Sequence, residues 1–215
     1  MTTLYLDIET IPADWNDEQI TSHALANVPG NYSKPESIAK WIEENRLEQW
    51  SRTALDWRYA RICAIGMIIE IGHDVQERVC VTLNEHGERQ MLGELDAVLA
   101  QYAPDTIVGH NVIGFDLPRL HIAAARVLPT LARRLSEYRG HRHAVVDTMR
   151  LAMGMERCRL ADLAMALGIE GKSGDGSQVH DLWLAGRVDA IAAYCLQDVE
   201  VTRNVYRMLT GAGAA

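Results

Sequence analysis

The chain has 215 residues, 48% of them hydrophobic and 23% charged, a balance typical of a folded globular protein that excludes a disordered one. No apolar run reaches the roughly 18 residues needed to cross a bilayer, and the N-terminus carries no secretion signal, so we expect a cytoplasmic protein without a membrane partner. The net charge of −8 argues against a protein that coats nucleic acid by bulk electrostatics, but not against an enzyme that holds a strand end through bound metal ions.

The pattern of apolar residues predicts an α/β fold in which antiparallel strands come first and strands then alternate with helices. An alternating segment at 2–8 and a β-branched run at 61–71 predict two strands, and 77–83 predicts the antiparallel partner of the second. The remaining predicted elements are, in order, a helix at 89–101, a strand at 106–108, a helix at 117–127, a strand at 144–146, and helices at 159–167 and 188–209. This order describes a mixed sheet with helices packed against its faces.

The segment from about residue 13 to residue 57 interrupts this pattern and contains four of the five tryptophans, Trp15, Trp41, Trp50 and Trp57. Its spacing predicts a helical insertion after the first strand that is too short to bury a core of its own. We therefore expect one domain over 1–210 and a flexible tail at 211–215. The tryptophans could stack on unpaired bases, but packing of their own helices is the more common role and the preferred interpretation.

Acidic residues occur at three places where they could serve chemistry. Asp7 and Glu9 stand two apart at the end of the first predicted strand, so their side chains point to the same face. Asp116 lies at the start of a predicted helix, and Asp198 follows Tyr194 by four residues in the last helix. Taken singly, each has an ordinary alternative: an exposed strand end, a helix N-cap, and the polar face of an amphipathic helix.

Together the four carboxylates predict a divalent-metal site. Two like charges on a mostly buried strand repel each other, and a cation between them would remove that cost. Hard oxygen ligands without a His/Cys set suit Mg²⁺ or Mn²⁺. The four cysteines are far apart and form no Cys-x-x-Cys pair, so we expect reduced, mostly buried thiols rather than a zinc site.

With these residues in place, three segments resemble the three motifs of the DnaQ-like (DEDD) 3′–5′ exonuclease superfamily, in the family's order: LDIET at 6–10, GHNVIGFDLPRL at 109–120 and YCLQDVEVT at 194–202. Within that superfamily the sequence is similar to the proofreading exonuclease domain of family B DNA polymerases, from residue 2 to about 209. The resemblance implies an RNase H-like fold, a five-stranded mixed sheet flanked by helices. Ala193 stands where one branch has histidine, so Tyr194 indicates the tyrosine branch (DEDDy). No polymerase portion follows the third motif, so we expect a stand-alone exonuclease.

The resemblance also implies a mechanism. Asp7, Glu9, Asp116 and Asp198 would hold two divalent ions, Mg²⁺ or Mn²⁺, at the scissile phosphate. By the same likeness, Asp7 bridges the two ions, Glu9 and Asp198 complete the one near the nucleophile, and Asp116 serves the other. Tyr194 would orient the attacking water. The expected reaction is stepwise hydrolysis from the 3′ end of single-stranded or frayed DNA, as in DNA repair, with release of nucleoside 5′-monophosphates.

Five further residues in or near these segments are expected to contact the substrate: Thr10, Ile11, Asn111, Phe115 and Lys172. The backbone around Thr10 and Ile11 would face the terminal nucleotide, with Ile11 wedged against its base. Phe115, the only Phe of the chain, has base stacking and core packing as equal alternatives. Lys172 could contact the nucleic-acid backbone, although a solvated loop lysine is the commoner outcome.

Two other features have open interpretations. Asp147 ends a predicted strand, where a hydrogen-bond acceptor is preferred over a role in supporting the metal ligands. The basic cluster at Arg133, Arg134, Arg139, His141, Arg142 and His143 could steer a phosphate backbone or form a solvated surface.

Two alternatives to DNA hydrolysis stay open. The same four acids serve RNA as well as DNA in this superfamily, so an exoribonuclease that trims RNA is the next candidate. A catalytically silent nucleic-acid-binding module is less favoured, because all four carboxylates and the tyrosine are present. The sequence identifies no protein partner.

Overall fold

A computed structural model of the chain describes residues 1–140, 144–170 and 178–212, without the side chains of residues 85, 86, 139 and 140. The chain forms two compact units, one of Met1–Glu9 with Ile62–Ala215 and the other of Thr10–Arg61. Each is described separately below. Among the described residues, no helix has the length and apolar character needed to span a membrane.

The first unit is built on a five-stranded sheet with the order β3-β2-β1-β4-β5. Its strands are β1 (Thr2–Ile11), β2 (Arg61–Ile71), β3 (Asp74–Val81), β4 (Thr106–Gly109) and β5 (Val145–Asp147). β1 pairs in parallel with β4, β4 pairs in parallel with β5, and β2 pairs antiparallel with β3. The sheet is therefore mixed, as the order of elements in the sequence predicts.

The helices agree with the predicted order, with three additions. In chain order they are α1 (Asp17–Ala26), α2 (Pro35–Ser51), α3 (Glu85–Tyr102), α4 (Asp116–Val127), α5 (Pro129–Gly140), α6 (Thr148–Met153), α7 (Leu160–Ala166), α8 (Val179–Leu184) and α9 (Val188–Thr210). The helices α5, α6 and α8 were not predicted. Two of them are only six residues long, too short for a helical period to be visible in the sequence.

The alternation of β1 sends its side chains to two different layers. Leu4, Leu6 and Ile8 join the main core, which contains residues of α3, α4 and α5. Tyr5 points to the opposite face and packs in a second cluster with Val199 of α9. Because residues two apart share a face, Asp7 and Glu9 follow Tyr5 onto the side of the sheet that α9 covers.

The helix α9 lies very close to β2 because Gly66 has no side chain. A Cβ built on Gly66 would stand 2.9 Å from both Cys195 Sγ and Val199 Cγ2. Further along α9, Arg203 and Arg207 bind the Glu70 carboxylate of β2. These contacts fix the position of α9 on the sheet, and with it the third motif.

The second unit contains α1, α2 and a 3₁₀ turn at Arg52–Leu55. Three of its four tryptophans pack within it, as the preferred interpretation predicts. Trp41 is buried, Trp15 stacks against the rings of His23 and Tyr59 with 4.9 Å between centroids, and the Trp50 indole donates to the Ala13 carbonyl at 2.7 Å. Trp57 is the exception, since its side chain is exposed.

Candidate active site

The Asp7 and Glu9 side chains converge, as their spacing on β1 predicts. A carboxylate oxygen of Asp7, one of Glu9 and the Sγ of Cys195 all lie within 4.8 Å of one another. Asp7 is half-buried and Glu9 is 9% exposed. The two acids thus lie side by side on the face of the sheet that α9 covers.

The helix α9 brings the third motif to this pair. Cys195 is fully buried, and its thiol donates to the Asp7 carbonyl oxygen at 3.8 Å and to Asp7 Oδ2 at 3.9 Å. Burial raises the pKa of this thiol well above its ordinary value, and the negative charges of Asp7, Glu9 and Asp198 raise it further. The Asp7 and Glu9 carboxylates of β1 therefore lie next to this thiol, and the Asp198 charge, three residues along α9, acts on it as well. Tyr194, half-buried, lies one helical turn before Asp198 on α9.

Asp116 joins the second motif to β1. It is the first residue of α4 and is 2% exposed. Its carboxylate does not cap the helix, since Phe115 occupies the N-cap position, and instead Asp116 Oδ1 accepts a hydrogen bond from the Ile8 backbone N–H at 3.1 Å. Burial raises the pKa of Asp116 to about 7, although the backbone N–H donors and the Arg119 charge oppose that shift.

The donor set fits a hard divalent cation. Asp7 and Glu9 place oxygen atoms close enough for a single ion to bind both, and a cation would relieve the repulsion among these buried carboxylates. Oxygen ligands of this kind suit a hard divalent cation, as the sequence predicts.

Asp147 organises the loop of the second motif, as the strand-end interpretation predicts. Its carboxylate accepts hydrogen bonds from the backbone N–H groups of Asn111 at 2.9 Å and Ile113 at 3.2 Å, and it caps α6 through Met149 N at 3.1 Å. Asn111 itself has a φ of 57°, a left-handed conformation that asparagine tolerates better than most residues.

Sequence reasoning missed the role of His110. Its ring nitrogens lie 3.0 Å from Thr148 Oγ1 and 3.0 Å from the Cys158 carbonyl oxygen, so it joins the second motif to two later segments. The only signal in the sequence was its position beside Asn111.

The predicted substrate contacts have different outcomes. The Ile11 side chain is 2% exposed in the absence of substrate, and its contact with the terminal base stays a prediction. The Thr10 hydroxyl donates to the Ala54 carbonyl at 2.7 Å, which leaves its backbone role a prediction. Phe115 packs against the main core, and the Arg119 guanidinium lies 3.5 Å from its ring centroid, so the core-packing alternative is favoured. Lys172 lies outside the described residues.

The basic cluster is only partly described. Arg133 binds Glu137 at 2.8 Å, and Arg134 binds Asp96 at 2.8 Å. The first pair lies within α5, and the second joins α5 to α3. The other members are outside the described side chains.

The fold and the carboxylate cluster together define the class of the protein: an α/β, RNase H-like domain similar to the exonuclease domain of family B DNA polymerases. A solved structure with this fold is the family B DNA polymerase from the hyperthermophilic archaeon Pyrobaculum calidifontis, at a TM-score of 0.62 and 20% identity. The similarity covers 98% of this chain and 24% of the polymerase chain, so this chain corresponds to about a quarter of that enzyme.

The sequence comparison gives the family. Residues 53–212 match the family described as predicted 3′-5′ exonuclease related to the exonuclease domain of PolB, and the chain belongs to this family. The matched segment contains Asp116, Tyr194 and Asp198, whereas Asp7 and Glu9 precede it. No curated protein matches the chain. The predicted fold and the predicted relation to the exonuclease domain of family B DNA polymerases are thus confirmed, whereas the tyrosine branch stays a prediction.

Proposed function

We propose that the protein is a metal-dependent 3′–5′ exonuclease that hydrolyses the terminal phosphodiester bond of a single-stranded or frayed DNA 3′ end. The observation that carries this proposal is the convergence of Asp7 and Glu9 beside Cys195 of α9, the helix that also carries Asp198, with Asp116 bound to the same strand at Ile8. Membership of the exonuclease family supports the direction of attack.

The four carboxylates would hold two divalent ions, Mg²⁺ or Mn²⁺, which when bound lower the pKa of water and stabilise charge on the phosphate. The Ile8 N–H orients the Asp116 carboxylate, and the Cys195 thiol donates to Asp7, so both ligands are held before substrate arrives. The Tyr194 hydroxyl would hydrogen-bond the attacking water and direct it at phosphorus.

The reaction adds one water to one phosphodiester bond. The water oxygen bonds to phosphorus, the bond from phosphorus to the 3′ oxygen of the preceding nucleotide breaks, and that oxygen takes up a proton. The products are a nucleoside 5′-monophosphate and a strand one nucleotide shorter with a new 3′ hydroxyl. Each cycle therefore regenerates the same kind of end.

The test uses 5′-labelled DNA and RNA 20-mers of the same sequence, with Mg²⁺ or Mn²⁺. The wild type should give a ladder with one-nucleotide steps, faster on DNA than on RNA, and Asp7→Asn should give none. Asp74→Asn is the matched control, because Asp74 is an exposed aspartate of β3 in the same unit and should leave the ladder unchanged.

Four results would contradict the proposal in whole or in part. Degradation by Asp7→Asn at the wild-type rate would exclude this carboxylate site. Failure to shorten either polymer would exclude the activity. Shortening of a strand whose 3′-terminal linkages are phosphorothioates, at the rate of the unmodified strand, would exclude attack from the 3′ end. A faster ladder on RNA would make the protein an exoribonuclease.

A further inference from the structure

Trp57, in a turn of the second unit, differs from every other tryptophan of the chain. All five lie in the described residues, and Trp15, Trp41 and Trp50 pack as described above, while the Trp183 indole donates to the Thr82 carbonyl at 2.9 Å. The Trp57 side chain is 58% exposed. Leu55, which borders the same depression of the surface, is 68% exposed, so the two side chains form a contiguous apolar patch of the kind that marks an interaction site.

The surroundings of Trp57 indicate what it binds. The indole lines a cavity of about 640 Å³ together with Arg52, Leu55, Asp56 and Arg58. Both arginine side chains are mostly exposed, and each is paired with a single acid, Glu48 or Asp56. A guanidinium has five N–H donors in a fork that matches phosphate, so one carboxylate leaves it further donors to offer.

We propose that Trp57, Arg52 and Arg58 form a site for an unpaired nucleic-acid strand, in which one base stacks on the indole and the adjacent phosphates bind the two arginines. One exposed aromatic ring beside two guanidinium groups suits the size of one nucleotide and the negative charge of its phosphate, and it is far smaller than a stable protein interface. This inference rests on the proposed function, since it assumes a nucleic-acid substrate, and it gives the second unit a role in holding that substrate.

The expected effect follows from the energy of stacking. Stacking of one base on an aromatic side chain corresponds to roughly 5- to 100-fold in affinity. Trp57→Ala should therefore raise the KM for dT12 by roughly that factor and leave kcat nearly unchanged. Trp57→Phe keeps an aromatic face and should retain most of the affinity. Leu47→Ala is the control, because Leu47 is an equally exposed apolar residue on α2 outside the cavity and should change neither value.

Binding without turnover gives an independent measurement. Fluorescein-labelled dT12 is titrated with each full-length variant in EDTA and followed by anisotropy, and tryptophan emission is recorded with unlabelled dT12. The strand should quench the emission of the wild type, and Trp57→Phe should lose much of that quenching. Arg52→Gln and Arg58→Gln should each reduce the dependence of log affinity on log salt by about one phosphate contact.

The outcomes separate this inference from the proposed function. If the wild type cleaves dT12 and Trp57→Ala binds and cleaves it with wild-type values, the strand site is refuted and the exonuclease stands. If dT12 binds in a Trp57-dependent way but is never cleaved, the site is supported and the exonuclease is refuted. If the wild type neither binds nor cleaves dT12 or rU12, both are refuted. Thermal unfolding at the wild-type temperature excludes misfolding of the variants.

Discussion

The carboxylate of Asp116 accepts a hydrogen bond from the backbone N–H of Ile8 at 3.1 Å. Ile8 lies between Asp7 and Glu9, so this one bond joins the first and second motifs at the point where both acids of β1 are presented. Asp116 is therefore both a proposed metal ligand and a structural link. The two roles can be separated, since an amide oxygen can replace the carboxylate as an acceptor but not as a charged ligand.

Asp116→Asn should lower the rate of DNA hydrolysis by at least about a hundredfold, because loss of even an outer group around a metal costs 10- to 100-fold. The fold should persist, since the amide can still accept the Ile8 N–H. Asp116→Ala should be as inactive and also less stable by about 1–3 kcal/mol, because the Ile8 donor loses its partner. Exonuclease rates measure the loss of activity in the two variants, and thermal unfolding measures the difference in their stability. Equal stability of both variants would show that the Ile8 bond does not contribute.

Asp147→Asn should mainly lower stability, whereas Asp116→Asn should mainly lower the rate of hydrolysis. The Asp147 carboxylate accepts from Asn111, Ile113 and Met149, and an amide would direct its NH₂ group at some of these donors. We expect a loss of about 1–3 kcal/mol in the free energy of unfolding. The rate per folded molecule should fall less than in Asp116→Asn. A stable Asp147→Asn protein with no activity would instead make Asp147 part of the catalytic site.

The acids of the site were predictable because each lies in a segment whose local structure the sequence indicates. The alternation of Tyr5, Asp7 and Glu9 alone places the two acids on one face, and the structure agrees. The role of Asp116 was not predictable from its own neighbourhood, because its partner Ile8 is 108 residues away. The burial of Ile11 and the exposure of Trp57 were not predictable either. Tertiary packing decides whether an apolar side chain at the end of a strand or in a turn is covered, and the local sequence pattern carries no information about it.

Glu70→Gln should lower stability in a pH-dependent way. Burial alone would raise the pKa of Glu70, but hydrogen bonds from Arg207 and Tyr5 and the charges of Arg207 and Arg203 lower it overall below its ordinary value of 4.5. A depressed folded pKa stabilises the protein above pH 4.5, and this stability is lost as the pH falls through 4.5 and then through the folded pKa. We expect Glu70→Gln to lower the free energy of unfolding by about 1 kcal/mol at pH 7, a modest value because Glu70 is partly solvated.

Thermal unfolding of wild type and Glu70→Gln between pH 7 and pH 3 measures this difference. The gap in Tm should be about 2–4 °C at pH 7, should begin to shrink as the pH falls through 4.5, and should close below the folded pKa. Glu200→Gln is the matched control, since Glu200 binds the same Arg203 at 3.2 Å but is 42% exposed, and its Tm difference should be small. A gap for Glu70→Gln that stays constant down to pH 3 would exclude the ionised carboxylate as its cause.

Gly66→Ala tests whether the site depends on the close approach of α9 to the sheet. The added methyl would lie 2.9 Å from Cys195 Sγ and 3.2 Å from the Cys195 carbonyl oxygen, closer than atoms pack, so α9 must shift outward. We expect a loss of about 1–3 kcal/mol in stability, as in other overpacked cores. Since Tyr194 and Asp198 move with the helix, the rate should fall by about tenfold or more even where the variant is fully folded.

Gly93→Ala provides the matched comparison. Gly93 lies within α3, and a Cβ there would meet nothing within 4 Å. The same substitution should therefore stabilise the protein by about 0.5–1 kcal/mol, because alanine favours a helix over glycine, and leave the exonuclease rate unchanged. Tm and initial rates at 25 °C on dT12 distinguish the two variants. If Gly66→Ala loses stability but keeps the wild-type rate once folded, the close approach of α9 to β2 contributes to stability alone and does not set the rate.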